Sequence, residues 1–187
     1  VSALVLEYDR DLWLRLDGDA VEPGQLATRL ESAPADWSQE ELVGIIGRAL
    51  SAPTFAADAE RFLLVAEDRS WYVLEVSLLS DDREAPLDPA ADFDGLTPEP
   101  VQVSATLSGY RLVTVESAGP LQGLPGPASD VLIPRVHYFL EVADDSAWLY
   151  ASVQVPDPLD LPVIVPLVEE LLAGAGREQG TEAHRQP

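Results

Sequence analysis

The sequence predicts an α+β fold, a mainly antiparallel β-sheet of about six to seven strands packed with two main helices. Two pairs of segments alternate apolar and polar side chains on either side of a short polar turn, RFLLVA with SWYVLEVSLL and RVHYFLEV with AWLYASVQV, and such pairs fold as hairpins. Two other segments, 38–50 and 160–173, repeat apolar residues at helical spacing instead. The connections within the hairpins are too short for a crossover, which makes the sheet antiparallel.

Residues 3–8 (ALVLEY) and 12–16 (LWLRL) read as a strand pair, with Leu12, Leu14 and Leu16 on one face of the second strand and Trp13 and Arg15 on the other. Asp17-Gly18 is a turn signal, and residues 24–32 carry Leu26 and Leu30 one helical turn apart. The clearest helix starts after Ser38. This residue is a good N-cap, Glu41 three positions on completes a capping box, and Trp37 can pack on Leu42 as a hydrophobic staple. Leu42, Ile45, Ile46, Ala49 and Leu50 form the apolar stripe. Gly44 and Gly47 weaken the helix and read as points of close packing on a sheet. Pro53 ends it, and a further turn of helix is expected near 55–60.

The first hairpin follows, Arg61–Ala66 and Ser70–Leu79, with Tyr72, Leu74, Val76 and Leu78 on one face and Trp71, Val73, Glu75 and Ser77 on the other. Residues 80–100 form an acidic, proline-interrupted loop. Strands at 101–107 and 110–116 are expected around a turn at Ser108-Gly109, and 117–130 is a Gly- and Pro-rich connection. The second hairpin joins Arg135–Val142 to Ala147–Val155. In the last helix Asp157 or Asp160 serves as the cap, Pro162 and Pro166 are tolerable only within the first turn, and Leu167, Val168, Leu171 and Leu172 make the apolar face. Gly174 stops it. The reading is one domain over 1–174, with a polar tail over 175–187.

Composition limits the chemistry. The 187 residues include no Cys, Lys, Asn or Met and two His, against 33 acids and 11 bases that are all Arg. Thiol, Schiff-base and thiolate–metal chemistries lack their residues, and no cofactor is expected. Such usage is that of a GC-rich coding sequence. The formal charge of −22 repels nucleic-acid backbones and anionic membranes and suits a basic protein partner. No window is long and apolar enough for a transmembrane helix, and VSALVLEYDR lacks the basic start of a signal peptide, so a cytoplasmic location is expected.

The Trp-bearing strand pair (EYDRDLWLRL), helical material, a meander, and a hairpin followed by a proline-containing segment and a last helix (HYFLEVADDSAWLYASVQVPDPLDLPVIVPLVEELLAG) resemble the PsbP-like α/β sandwich group in its actinobacterial form. The resemblance covers 1–174 as a pattern and carries no diagnostic motif. It implies a non-catalytic protein that binds or assists other proteins, and it transfers no functional residue. The long acidic loop departs from the group's secreted members.

Three residue sets are candidates for function. Asp81, Asp82, Glu84, Asp88, Asp92 and Asp94 in the acidic loop could steer a basic partner, and Trp71, Trp148 and Tyr150 could share an aromatic sheet face that holds it. Asp9, Asp11, Asp17 and Asp19, with Glu22, could converge on a divalent cation or serve carboxylate chemistry. Asp92-Phe93-Asp94-Gly95 resembles the start of a calcium loop, but Ala90 and Val101 stand where ligands belong. His137 with Glu141, and Ser104 or Ser152 as a third member, has the residue types of a nucleophilic triad without its strand–turn–helix elbow. The stretch Gly119–Pro127 lacks both the free N–H groups and the Lys of a phosphate cradle. The expectation is therefore a non-enzymatic interaction protein with a basic partner. A cation-binding or carboxylate-based hydrolytic protein is the alternative, and a small-ligand carrier the further one.

Overall fold

The computed structural model describes residues 4–16, 22–30, 37–52, 54, 59–66, 70–79, 96–120, 130–143 and 147–177. Alternating strands and two amphipathic helices assemble, as expected, into an α+β fold dominated by an antiparallel sheet. The strands are β1 (Leu4–Leu6), β2 (Trp13–Arg15), β3 (Glu60–Val65), β4 (Trp71–Leu79), β5 (Glu99–Gln102), β6 (Leu107–Pro120), β7 (Asp130–Val142), β8 (Trp148–Gln154) and β9 (Ala175–Arg177). The helices are α1 (Pro23–Ala27), α2 (Gln39–Ser51) and α3 (Leu161–Ala173), the last entered through a 3₁₀ turn at Pro158–Asp160. Seven strands form one sheet in the order β2-β3-β4-β8-β7-β6-β5, and β1 pairs with β9 in a separate ribbon.

Helices pack on both faces of the sheet, α3 on one and α1 with α2 on the other. On one face Trp13, Phe62, Leu64, Tyr72, Leu74, Val76, Val136, Tyr138, Leu140 and Leu149 meet Ile164, Val168, Leu171 and Leu172 of α3. On the other, Leu14, Leu63 and Val65 meet Leu26 and Ala27 of α1 and Leu42, Ile45, Ile46 and Ala49 of α2. Each fully buried aliphatic side chain contributes about 1.5–3 kcal/mol. Polar links pin α3 in place. The Tyr72 hydroxyl donates to Asp160 Oδ2 at 2.6 Å, and Arg111 bonds Glu169 at 2.8 Å and Glu99 at 2.7 Å. The bond to Glu99 and the nearby acids raise the Arg111 pKa against the cost of burial, while burial, and then the Glu169 carboxylate, raise that of Tyr138.

The capping box of α2 is complete: the Ser38 hydroxyl accepts from Glu41 N, and the Glu41 carboxylate accepts from Ser38 N at 2.8 Å. Several local readings change. β1 and β2 are not partners; β1 pairs with β9 and β2 with β3, so three residues of the expected tail belong to a ribbon. The first helix is shorter than expected, Pro23–Ala27. The β5–β6 turn falls at 103–106, where Val103 N and Ser104 N bond the Leu107 carbonyl, and Ser108 and Gly109 lie inside β6. Gly109 is there because a Cβ would strike the Phe139 carbonyl. Gly44 and Gly47 pack on nothing, since a Cβ at Gly47 would meet open space and one at Gly44 only the Arg48 guanidinium. Pro162 starts α3 but Pro166 sits inside it, where its missing N–H leaves the Pro162 carbonyl without its helical donor.

β6 and β7 are longer than expected, pairing from Leu107↔Val142 to Ser117↔Leu132 and on to Pro120↔Asp130. They continue past β5, whose last pairing on β6 is Glu99↔Arg111. Of the Gly- and Pro-rich connection, residues 121–129 lie outside the described residues, as do 55–58.

Candidate functional site

Register gathers the buried polar side chains of the described residues on the α2 face of the sheet, beyond the reach of the α2 stripe. Glu75 of β4 is opposite Ser152 of β8, and Ser152 is opposite His137 of β7. His137 in turn is opposite Leu112 of β6. In the neighbouring row Ser77 faces Tyr150 and Tyr150 faces Phe139. Glu75, Ser77, His137 and Ser152 are all buried, His137 at 7% and Ser152 at 1% exposure.

His137 is the hub. Its Nε2 lies 2.9 Å from Thr114 Oγ1 and its Nδ1 lies 2.8 Å from the Tyr150 hydroxyl. A neutral imidazole has one N–H and one lone pair, and a hydroxyl can serve either, so both nitrogens are satisfied in either tautomer. Burial, reinforced by the Arg135 guanidinium, lowers the His137 pKa from 6.5 to about 4, with Glu116 opposing. Tyr150 is pushed up, first by burial. Its ring also packs on Phe139 with centroids 5.0 Å apart. Arg135 Nε and Glu116 Oε1 form an ion pair at 2.9 Å.

A nucleophilic triad needs the serine on one ring nitrogen and an acid on the other. Here hydroxyls of Thr114 and Tyr150 hold those positions. Ser152, though opposite His137 in register, lies 3.5 Å from Arg135 Nη1. Glu141 is exposed, and Ser104 sits in the β5–β6 turn with Thr106. The arrangement locks a neutral ring in a hydrogen-bonded network.

The other candidates fall in different places. Trp71, Trp148 and Tyr150 share the α2 face by alternation, because Trp148 is opposite Leu79 and Tyr150 opposite Ser77. They do not form one patch. Eight residues of β4 separate the row of Trp71 from that of Trp148, roughly 26 Å along a strand. Trp71 packs beneath α2, with the Arg48 guanidinium 5.9 Å from its ring centroid, whereas Tyr150 belongs to the His137 network. Asp9 Oδ1 accepts from Asp11 N at 2.9 Å, a local turn contact. Asp11 lines a cleft of about 730 Å³ with Arg10, Arg15 and Arg29, and guanidiniums so placed weaken its pull on a cation. No group of three or more metal-ligating side chains occurs among the described residues. Asp17, Asp19, Asp81, Asp82, Glu84, Asp88, Asp92 and Asp94 lie outside those residues.

Two features were not read from the sequence. One is the Thr114–His137–Tyr150 chain, whose only signal was the alternation that puts the three on one sheet face. The other is a groove of about 390 Å³ between α2 and β4, lined by Trp37, Glu40, Gly44, Arg48 and Trp71. The Trp37 indole N–H is buried with no hydrogen-bond partner among the described residues, and the missing side chain at Gly44 helps open the groove. Among the described residues no helix is long and apolar enough to cross a membrane. In comparisons with known proteins, no family profile, curated protein or solved structure matches the chain.

Proposed function

We propose that the protein is a non-enzymatic interaction protein whose partner is a basic protein. The observation that carries the reading is the charge of the chain, 33 acids against 11 Arg. A field of that sign accelerates encounter with a basic surface and repels polyanions. The buried histidine supports it, because an imidazole kept neutral by burial and by a nearby guanidinium, with a hydroxyl at each nitrogen, serves packing and strand register. The resemblance to the PsbP-like group points the same way.

Steering is assigned to the acidic loop. Changing Asp81, Asp82, Glu84 and Asp88 together to Lys should slow association with the basic partner at low salt by about tenfold or more. Stopped-flow association measured against salt checks it. A variant that binds as fast as wild type at low salt would show that the loop does no steering.

A small-ligand carrier is a second reading, favoured by the groove between α2 and β4. Its volume of about 390 Å³ falls within the range of small-molecule sites, and it is lined by two indole rings. A planar aromatic ligand fits that lining. Quenching of tryptophan fluorescence by such a ligand, lost in Trp37→Phe, supports this reading; no response across an aromatic-acid panel removes it.

A further inference from the structure

We propose that β6 is a docking edge, and that its occupant is a second copy of this chain. Sheet edges expose unpaired N–H and C=O groups, and proteins protect them with short strands, charge and proline. Both nominal edges of this sheet follow that rule. β2 is three residues long and carries Arg15, paired with Glu60 at 3.3 Å. β5 is four residues long and carries Glu99 and Pro100.

β6 breaks the rule where it passes β5. Beyond Arg111 no described strand pairs with its outer side, and Leu112–Ser117 reads Leu-Val-Thr-Val-Glu-Ser, with no proline and one charge. The orientation of the backbone follows from the turn before it. The Leu107 carbonyl accepts bonds on the β5 side, whereas the Thr106 carbonyl accepts from Ala143 N on the β7 side. Alternation then turns the N–H and C=O of Val113 and Val115 to the outer side, where no described strand lies, and those of Thr114 toward β7. The side chains of the same two valines are exposed at 42% and 59%, and Leu132 of β7, on the same face, at 60%. The alternation that turns their amides away from β7, to a side where no described strand lies, thus also leaves three aliphatic side chains exposed.

Charge selects the occupant. β6 and β7 together carry two Arg and three acids, in a chain whose net charge is −22, and one of those acids, Glu116, already pairs with Arg135. A basic partner would seek acids, and this edge has few to offer. A neutral, β-branched edge suits a strand equally uncharged, and the chain supplies one. Across a twofold axis β6 runs antiparallel to its copy, so the outward amides of Val113 and Val115 meet those of the same segment, and the exposed valines cluster on one face. β5 limits the ladder to Leu112–Ser117.

Self-association of two bodies of like charge strengthens with salt, opposite to docking of a basic partner. The experiment is sedimentation velocity at up to about 100 µM chain, at about 0.05 M and 0.5 M NaCl, with hydrogen exchange at the Val113 and Val115 amides. The expected result is a dimer whose population rises with concentration and with salt, and exchange at the two amides that slows as it forms. Val115→Pro removes one outward N–H while leaving the β6–β7 ladder intact, and should weaken the dimer at least about tenfold with an unchanged melting curve. If that variant does not fold, Val115→Glu places a charge at an exposed position and tests the same edge. A monomer at every concentration and both salts overturns the proposal. So does a dimer that survives Val115→Pro or Val115→Glu in a folded chain. A monomer that loses its basic partner on either substitution would assign the edge to a foreign strand, which also overturns it.

Discussion

His137 connects the acid stability of the fold to one side chain. Burial and Arg135 hold its pKa at about 4, against the ordinary 6.5 that the unfolded chain would show. A histidine with a depressed folded pKa contributes stability that is fully present above pH ~6.5 and is lost as pH falls toward ~4, because in that window the unfolded chain binds the extra proton. Linkage sets the loss at about 2 kcal/mol at pH 5 and about 3 kcal/mol at pH 4, and solvent screening makes both upper values. Carboxylates titrate in the same range, so the effect must be isolated by difference. His137→Gln keeps a hydrogen-bonding side chain between Thr114 and Tyr150 and does not titrate. Urea unfolding of both proteins from about pH 7.5 to 4.5 should show wild type losing about 1–2 kcal/mol relative to the variant across the interval. A stability difference that stays constant with pH would refute the reasoning, since the ring would then not be held neutral.

Other substitutions probe the scaffold. Ser38→Ala breaks the reciprocal cap with Glu41 and should cost about 1 kcal/mol in chemical denaturation. Gly174→Ala drives a Cβ into the Glu7 carbonyl, which accompanies the Glu7 N–Gly174 O bond of 3.0 Å; a loss of at least about 2 kcal/mol is expected, and wild-type melting would contradict that close approach. Arg111→Ala leaves Glu169 half-buried without its cation and should cost about 2 kcal/mol at neutral pH, less in a background of Glu169→Gln; a double-mutant cycle measures that coupling.

The elements with a local signal were legible in the chain. Ser38 and Glu41 specify a cap through contacts three residues apart, and the β3–β4 and β7–β8 hairpins are written in alternation with short turns. What could not be read depends on distant partners. Nothing near Leu4 says that β1 will pair with Ala175–Arg177, because the three residues of each strand find their ladder only after α3 has brought the chain back. Ser108-Gly109 carries the residue types of a turn, but Gly109 serves close approach to Phe139 across the β6–β7 ladder, and the turn moves to 103–106. The polar network shows the same division. Alternation placed His137 on a sheet face, but only the register of three strands brings Thr114 and Tyr150 to its two nitrogens.

The most direct test of the interaction reading is affinity capture from a lysate of the source organism, at low salt and again at about 0.5 M salt, with the retained proteins identified by mass spectrometry. The account predicts one basic protein held at low salt and thinned at high salt, as electrostatic steering by an acidic surface requires. Enrichment of no protein at either salt would contradict it.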